Sequence, residues 1–585
     1  MSCIFGYYSK HATDTINLSE CHPKSIAVIS NSKYYLAIGG NSNTIVYDSN
    51  NQGSNFFVCG FTFTQDSSKI LDKNDWQTIL NNTPDDLKAL NGHFCGAFIK
   101  NDSITLFTDQ LGLREFHIYE NNDGWYFSTR LDWLLKLDDF EIDFNEFGSR
   151  WLLINQLSNK SIIKKIHRIN CGSKVVINNK QYEIVENNWI PQRNNNHNTD
   201  EFKLILKKNI LLGLINNKNL SLSLSGGMDS RVLLSFLLES KNENWDCHTF
   251  NTNERMDSVI AEKISKELKF KHRILSIKNP DTDGIISELF EYIGATYLTD
   301  SGFNSRKLMH YKYLSPDELI IDGGFGEIWR REYLTHLYHF GKKDLENRNY
   351  SNISKYLVNH KADIFTEKCY EFMNNGIINQ IDTLTNLLPS IKEIGLANWL
   401  DLFSLKTRLI NFYAPEQARV DNYVTAYMPF AQINLLNDLF NVPVEERKNN
   451  RLFKHIINSN CKKLVEFNLA KGDMSYPYYF TPVMKRIYSL LHNKFIKHNE
   501  GSEVDLFLLS VKDFLMDSLL SNAAREYEPY NYKLIYDKVL SYYNGNCGNR
   551  QFVNWFLTFE IFRQIMQGGK HQRSNPPDGR TSVKR

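Results

Sequence analysis

The hexapeptide Ser225-Gly226-Gly227-Met228-Asp229-Ser230 closes one apolar run, Asn219 to Leu224, and opens another, Arg231 to Leu238. A glycine loop between a short strand and a helix suits phosphate, because the glycines let the backbone come close and the helix start offers unpaired N–H groups. Ser225 and Ser230 add hydroxyl donors, and the Asp229 carboxylate is a hard oxygen ligand able to hold Mg2+ against anionic oxygens. The expected ligand is therefore ATP with Mg2+, its phosphates cradled by Ser225, Gly226, Gly227, Asp229 and Ser230. Gly-Gly followed by Asp or Ser is also ordinary turn and N-cap chemistry. The order strand, loop, helix favours the phosphate.

Such a loop needs a sheet behind it. The runs Asn219-Leu224, Asp246-Phe250, His272-Ile277 and Glu318-Ile321 read as strands alternating with helices, one of which carries the apolar stripe Ile260, Ile264, Leu268. This alternation predicts a parallel sheet with helical crossovers. The first part of the chain reads differently. Ser25-Ile29, Phe56-Phe63, His93-Lys100, Ile104-Thr108, Phe116-Tyr119 and Trp125-Thr129 are short runs between Asn, Asp, Gly and Ser clusters, the spacing of antiparallel sheets. Composition changes between Asn187 and Asp200, where Asn194, Asn195, Asn196 and Asn198 group together near Pro191, and the domain boundary is expected there. From about Thr335 the pattern is mostly helical, ending in a Gly-, Pro- and Arg-containing tail over 568–585 that reads as disordered.

At 585 residues the chain exceeds the size of one hydrophobic core, so two or more domains are expected. With 68 basic against 66 acidic residues and no long block of one sign, nothing favours nucleic acid or an anionic membrane as partner. Nine scattered cysteines, none in a Cys-x-x-Cys spacing, argue against a disulfide framework or zinc site. A reducing cytoplasm fits that usage, and neither a membrane span nor a secretory leader is read. His248, His272 and His310 lack a metal-ligand spacing and read as packed or surface imidazoles.

The segments Met1-Ser2-Cys3-Ile4-Phe5-Gly6, Asp109-Gln110-Leu111-Gly112-Leu113-Arg114, Tyr126-Phe127-Ser128-Thr129, the phosphate loop, Tyr427-Met428-Pro429-Phe430 and Ala470-Lys471-Gly472 occur in the order and approximate spacing of asparagine synthetases. The resemblance covers nearly the whole chain. It implies an α+β glutaminase-like sandwich of the Ntn-hydrolase type over 1–190, followed over 200–567 by an α/β ATP pyrophosphatase (PP-loop) domain with a helical C-terminal part. In the family the nucleophile is a cysteine directly after the initiator Met, using its own amino group as base. Here that residue is Ser2, Cys3 stands one position along, the glutamine-binding Asn-Gly corresponds to Cys59-Gly60, and no carboxylate-gripping Arg segment appears between Tyr35 and Asn55. These departures point to a lapsed glutaminase, with a Ser2 nucleophile of altered specificity as the alternative.

The resemblance implies more for the second half. Asp322-Gly323-Gly324-Phe325-Gly326-Glu327 falls where the family carries a second Gly- and acid-rich loop facing pyrophosphate, so Gly323 and Gly324 are assigned to the nucleotide and Glu327, then Asp322, to magnesium shared with Asp229. Phe250 and Asn251 lie where the family's backbone lines the adenine pocket, with Asp300-Ser301 resembling a nearby segment. Lys471 matches the lysine that meets the α-phosphate, a compact charge where anionic charge builds. Arg231, Lys454, Lys462 and Lys463 are the other basic residues in contention. The implied function is an AMP-forming carboxylate–amine ligase acting on small-molecule or peptide substrates, with Lys471 and Glu327 as its catalytic pair and a homo-oligomer left open. A conventional glutamine-hydrolysing asparagine synthetase, a sulfur-transferring enzyme with the same loop, and a catalytically silent paralogue are the alternatives.

Overall fold

The structure is a computed structural model that describes residues 2–11, 18–19, 21–49, 54–178, 182–192, 199–251, 256–276, 282–472, 474–495 and 501–573. Its first part contains β1 (Cys3–Ser9), β2 (Ala27–Ser30), β3 (Tyr34–Gly39), β4 (Ile45–Asp48), β5 (Asn55–Phe63), β6 (Asn91–Lys100), β7 (Ser103–Thr108), β8 (Phe116–Glu120), β9 (Gly124–Ser128), β10 (Ile166–Ile169), β11 (Lys174–Ile177) and β12 (Tyr182–Val185). They form two six-stranded sheets, ordered β10-β8-β9-β1-β3-β2 and β12-β11-β7-β6-β5-β4. Every pairing within them is antiparallel.

The period of two along β1 shows how the layers arise. Ile4 and Tyr8 join Leu36, Phe57, Ala97 and Leu106 in a core shared by both sheets. Phe5 and Tyr7, on the opposite face, pack with Ile293, Phe507 and Phe562 from the second half of the chain. On the far side of the other sheet, Trp76 and Leu80 of helix Lys73–Asn82 cover Phe56, Val58 and Phe94. The result is two sheets face to face with helices outside each.

The second half is built on β13 (Leu220–Ser223), β14 (Trp245–Asn251), β15 (His272–Ser276), β16 (Leu319–Ile321) and β17 (Thr425–Tyr427), ordered β15-β14-β13-β16-β17 and parallel throughout. The chain leaves β13 toward β14 and β15, then returns to add β16 and β17 on the other side. Connections from β13 and β16 thus run in opposite directions, and a crevice opens at their carboxyl ends, where open α/β sheets bind ligands. A hairpin of β18 (Leu469–Lys471) and β19 (Met474–Tyr476) lies beyond.

Several elements differ from the sequence reading. Strands β1, β3, β4, β10, β11, β12 and β17 were not read as strands, and β2 starts at Ala27 rather than Ser25. Buried on both faces, Tyr34 to Ile38 carry no alternation to betray a strand. Helix Thr199–Ile215 starts where the boundary was expected, whereas Asn194, Asn195, Asn196, Asn198 and Ile277 fall outside the described residues. Helix Arg550–Arg573 runs into the segment read as a disordered tail, and 574–585 lie outside the described residues. Residues Leu405–Tyr413 form a π-helical stretch between helices Leu396–Ser404 and Ala414–Val420. No described helix is long and apolar enough to cross a membrane.

Candidate functional site

Three segments far apart in sequence meet at the β13/β16 crevice. The Gly226 carbonyl accepts the Ala470 N–H at 2.9 Å. A Cβ on Gly226 would come within 2.6 Å of the Ala470 Cβ, one on Gly323 within 2.8 Å of the Asp229 Cβ, and one on Gly326 within 2.6 Å of the Asp229 Cγ. Glycine is required at these contacts because the loops after β13 and β16 and the β18 strand touch through their backbones.

Within the first loop the Ser225 N–H donates to the Ser230 Oγ at 3.1 Å, and the two hydroxyls lie 3.0 Å apart. The Gly227 N–H donates to the Ser225 Oγ at 3.1 Å, and the Gly226 N–H to Asp257 Oδ1 at 2.8 Å. Gly227 opens helix Met228–Glu239 without a side-chain cap, so the first-turn N–H groups have no capping side chain. Asp257 went unread in the sequence, since a single acid at the start of helix Met256–Leu268 looks like ordinary dipole complementation.

The three candidate metal carboxylates are held apart. Arg330 grips Asp229 with both arms, Nε to Oδ1 at 2.5 Å and Nη2 to Oδ2 at 2.7 Å, and also meets Glu332. Burial raises the Asp229 carboxyl while this guanidinium opposes it. Glu327 accepts from Arg408 Nε at 2.7 Å and from the Tyr413 hydroxyl at 2.8 and 2.9 Å. Asp322 Oδ1 accepts the Gly324 N–H at 2.5 Å, and burial pushes its carboxyl up to about 6. No group of three or more His, Cys, Asp or Glu side chains among the described residues is arranged as a metal cluster. The donors are hard oxygens suited to Mg2+, but of the three only Asp322 lacks a cation beside it among the described residues, and an ion would meet Asp229 or Glu327 only in place of Arg330 or Arg408. Sequence reasoning missed all three partners: Arg330 stood three residues past Glu327, whereas Arg408 and Tyr413 are positioned only by the π-helical turn.

Lys471 ends β18 beside the 225–230 loop; its side chain and Asp473 lie outside the described residues. Arg231 is wholly buried and acts as a staple. Its Nη1 donates to the Phe467 carbonyl at 2.8 Å and Leu464 at 3.3 Å, its Nη2 to Asn468 at 2.7 Å and Gly226 at 3.3 Å. It therefore ties the loop to the strand that carries Lys471. Lys462 and Lys463 are exposed, and Lys454 reaches the Phe480 carbonyl at 3.5 Å and lies over the Tyr478 ring, 5.6 Å from its centroid. Phe250 packs edge-on against His310 and Tyr311, with ring centroids 4.7 and 5.1 Å away. Asp300 pairs with Arg419 at 3.2 Å, and Ser301 caps the short helix Gly302–Ser305. His248 is bonded to Ser221 at 2.8 Å and His272 to Thr249 at 2.8 Å, as packed imidazoles.

In the first domain Ser2 is fully buried, and Arg114 Nη2 donates to its hydroxyl at 2.7 Å and its carbonyl at 2.9 Å. Asp421, from the second half of the chain, lies 3.4 Å from Arg114 and 3.0 Å from His93. Cys59 and Cys95 face each other across β5 and β6 with sulfurs 3.4 Å apart, and burial raises the Cys3 thiol. Ser2 is thus enclosed by an ion cluster that joins the first sheets to the second half of the chain.

No protein-family model and no curated protein matches the chain. Among the solved structures it is similar to are two that each match at 11% identity and a TM-score of 0.20. One is the allosteric regulatory enzyme of purine biosynthesis, with 38% of this chain and 54% of that chain covered, so this chain spans about half its length. The other is glutamine phosphoribosylpyrophosphate amidotransferase from B. subtilis complexed with ADP and GMP, with 56% and 71% covered. At that score neither bears on what the site does.

Proposed function

We propose that the chain is an ATP-dependent ligase that adenylates a carboxylate and passes the acyl group to an amine. The observation that carries this reading is the meeting of the 225–230 loop, the 322–327 loop and β18 at the point where the parallel sheet reverses its order. Open N–H groups at the Met228–Glu239 helix start and the serine hydroxyls bind phosphate oxygens there. Arg330 exchanges a carboxylate for a phosphate, a swap its planar fork allows, and frees Asp229. Asp229, Asp322 and Glu327 are the residues that would hold Mg2+, which supplies neutralisation of the triphosphate charge.

In the first step a substrate carboxylate oxygen attacks the α-phosphorus and the bond to the bridging oxygen breaks, so pyrophosphate leaves. In the second, the amine nitrogen attacks the acyl carbon, loses a proton, and AMP departs with the electron pair. Arg330, and Lys471 by its place at the end of β18, are the cations assigned to the charge that grows on the phosphate oxygens. The amine arrives from outside rather than from glutamine, a reading supported by the buried Ser2 and the Arg114–Asp421–His93 cluster over it.

The test is chromatographic separation of nucleotides after incubating the chain with ATP, Mg2+ and a panel of carboxylates and amines. AMP and pyrophosphate should form only with a matching carboxylate, and ammonia release from glutamine should not exceed that of a Ser2→Ala control. Formation of ADP and phosphate in place of AMP would overturn the ligase reading; glutamine hydrolysis above the control would restore the glutaminase.

A further inference from the structure

Away from the crevice, a cavity of about 430 Å³ lies between the two halves of the chain. One wall is the end of β10 and start of β11, with Arg168, Asn170 and Cys171; the other is helix Glu367–Leu387 together with Lys406. That second wall is rigid. A Cβ on Gly376 would come within 2.0 Å of the Asn145 carbonyl oxygen, and one on Gly148 within 2.5 Å of the Met373 carbonyl, so the helices cross backbone to backbone. Gln380 pins the crossing, accepting from Ser149 Oγ at 2.5 Å and donating to the Asn145 carbonyl at 2.6 Å.

The cavity walls hold more donors than acceptors. Lys406 is 8% exposed, its ammonium donates to the Trp189 carbonyl at 2.6 Å, and it pairs with no carboxylate among the described residues. Burial lowers its affinity for a proton accordingly. Asn170 is 6% exposed and its Nδ2 has no acceptor. Arg168, by contrast, is paired with Glu115, and Glu146 with Lys160 while accepting from the Ser158 hydroxyl; the remaining carboxylate of the lining, Glu186, is exposed. A buried ammonium without a counter-ion and a buried amide N–H group without an acceptor are costly unless something completes them.

We infer that this cavity binds a small organic acid whose carboxylate meets Lys406 and the Asn170 carboxamide. Lys406, a buried cation with no carboxylate beside it among the described residues, matches a single carboxylate, and with Glu186 also on the lining a phosphate dianion would carry charge to excess. Leu157, Leu384 and Leu388 supply an apolar side for the acid's carbon skeleton. The volume lies within the range of small-molecule sites. Lys406 belongs to the same π-helical turn as Arg408 and Tyr413, which clasp Glu327, so an occupant reaches the crevice through one turn of backbone. Single-turn π features recur at functional sites.

The experiment titrates the full chain, without nucleotide, with acetate, succinate, glutamate and inorganic phosphate, following thermal unfolding and calorimetric heat. At least one carboxylate should bind saturably and raise the unfolding temperature, phosphate should not, and amide exchange over 405–413 should slow on binding. Lys406→Met keeps the stem and removes an unpaired buried charge, so it should fold and bind the acid at least about tenfold more weakly, the loss of one charge-assisted hydrogen bond. Asn170→Ala should weaken binding severalfold and serves if Lys406→Met does not fold. No saturable response to any of the carboxylates, equal binding by both variants, or tighter binding of phosphate overturns the inference. Because ATP is absent, none of these outcomes depends on the ligase reading.

Discussion

Replacing Arg231 with Met should loosen the proposed nucleotide site from behind. The guanidinium makes two short bonds to main-chain carbonyls, 2.7 Å to Asn468 and 2.8 Å to Phe467, and two longer ones to Leu464 and Gly226. The Gly226 carbonyl keeps its bond from Ala470, so removal leaves chiefly the Phe467 and Asn468 oxygens without a donor. Each bond from a charged donor is worth about 1.5 to 3 kcal/mol, which sets a gross loss of roughly 3 to 6 kcal/mol. Against it, burial pushes Arg231 down to about 10, still charged at neutral pH, and a methionine is relieved of that desolvation. A net destabilisation of about 3 kcal/mol follows, or several degrees in unfolding temperature for a domain of this size. Because the freed carbonyls belong to the residues just before β18, nucleotide binding should fall with stability, and Arg231→Lys should rescue only part of either. Differential scanning fluorimetry and displacement of a fluorescent ATP analogue measure the two. Unchanged unfolding temperature and affinity in Arg231→Met would refute the staple.

Three further outcomes are expected. Asp229→Asn should abolish AMP formation while the protein stays folded, because Arg330 keeps Glu332 and the lost charge is the one placed against the phosphates; full turnover at saturating Mg2+ would remove Asp229 from the site. Lys471→Ala should lower turnover about a hundredfold with a smaller change in ATP affinity, as for loss of one contact to a developing oxyanion, and Lys462→Ala and Lys463→Ala, both exposed, should do little in quench-flow measurement of AMP. Asp322 carries a proton below about 6, so Mg2+-dependent activity should rise as pH climbs through that value. The same shift means that ionising Asp322 costs the folded state, and its stabilising contribution is lost as pH rises from 3.8 toward about 6. An Asp322→Asn enzyme with an unchanged acid limb would assign that limb elsewhere.

What was legible in the sequence was local. Ser225 to Ser230 showed a strand, a glycine turn and a helix start in six residues, and Asp322 to Glu327 showed a second turn behind Leu319-Ile320-Ile321, because glycine spacing and apolar runs act over a few residues. The parallel sheet followed from alternation, and the antiparallel half from short runs between turn residues. Tyr34 to Ile38, buried on both faces, and the three-residue strand Thr425–Tyr427 carry no period and were illegible, whereas Leu319–Ile321, equally short, was marked by the glycine turn after it.

The sequence by itself also determined which chemistries are present, since residue type fixes what a side chain donates, accepts or ionises. Tertiary structure decided what each group is free to do. Asp229 and Glu327 read alike as carboxylates, yet one is closed by Arg330, which lies 101 residues along the chain, and the other by Arg408, 81 residues along. Ser2 reads as a nucleophile candidate until Arg114 and Asp421 are seen to bury it. Lys406 looks like any lysine until the Gly148–Gly376 helix crossing leaves it at a cavity wall without a counter-ion. Pairing and burial depend on contacts between distant segments, and the energies that shift charge and reactivity are set by those contacts rather than by neighbours in sequence.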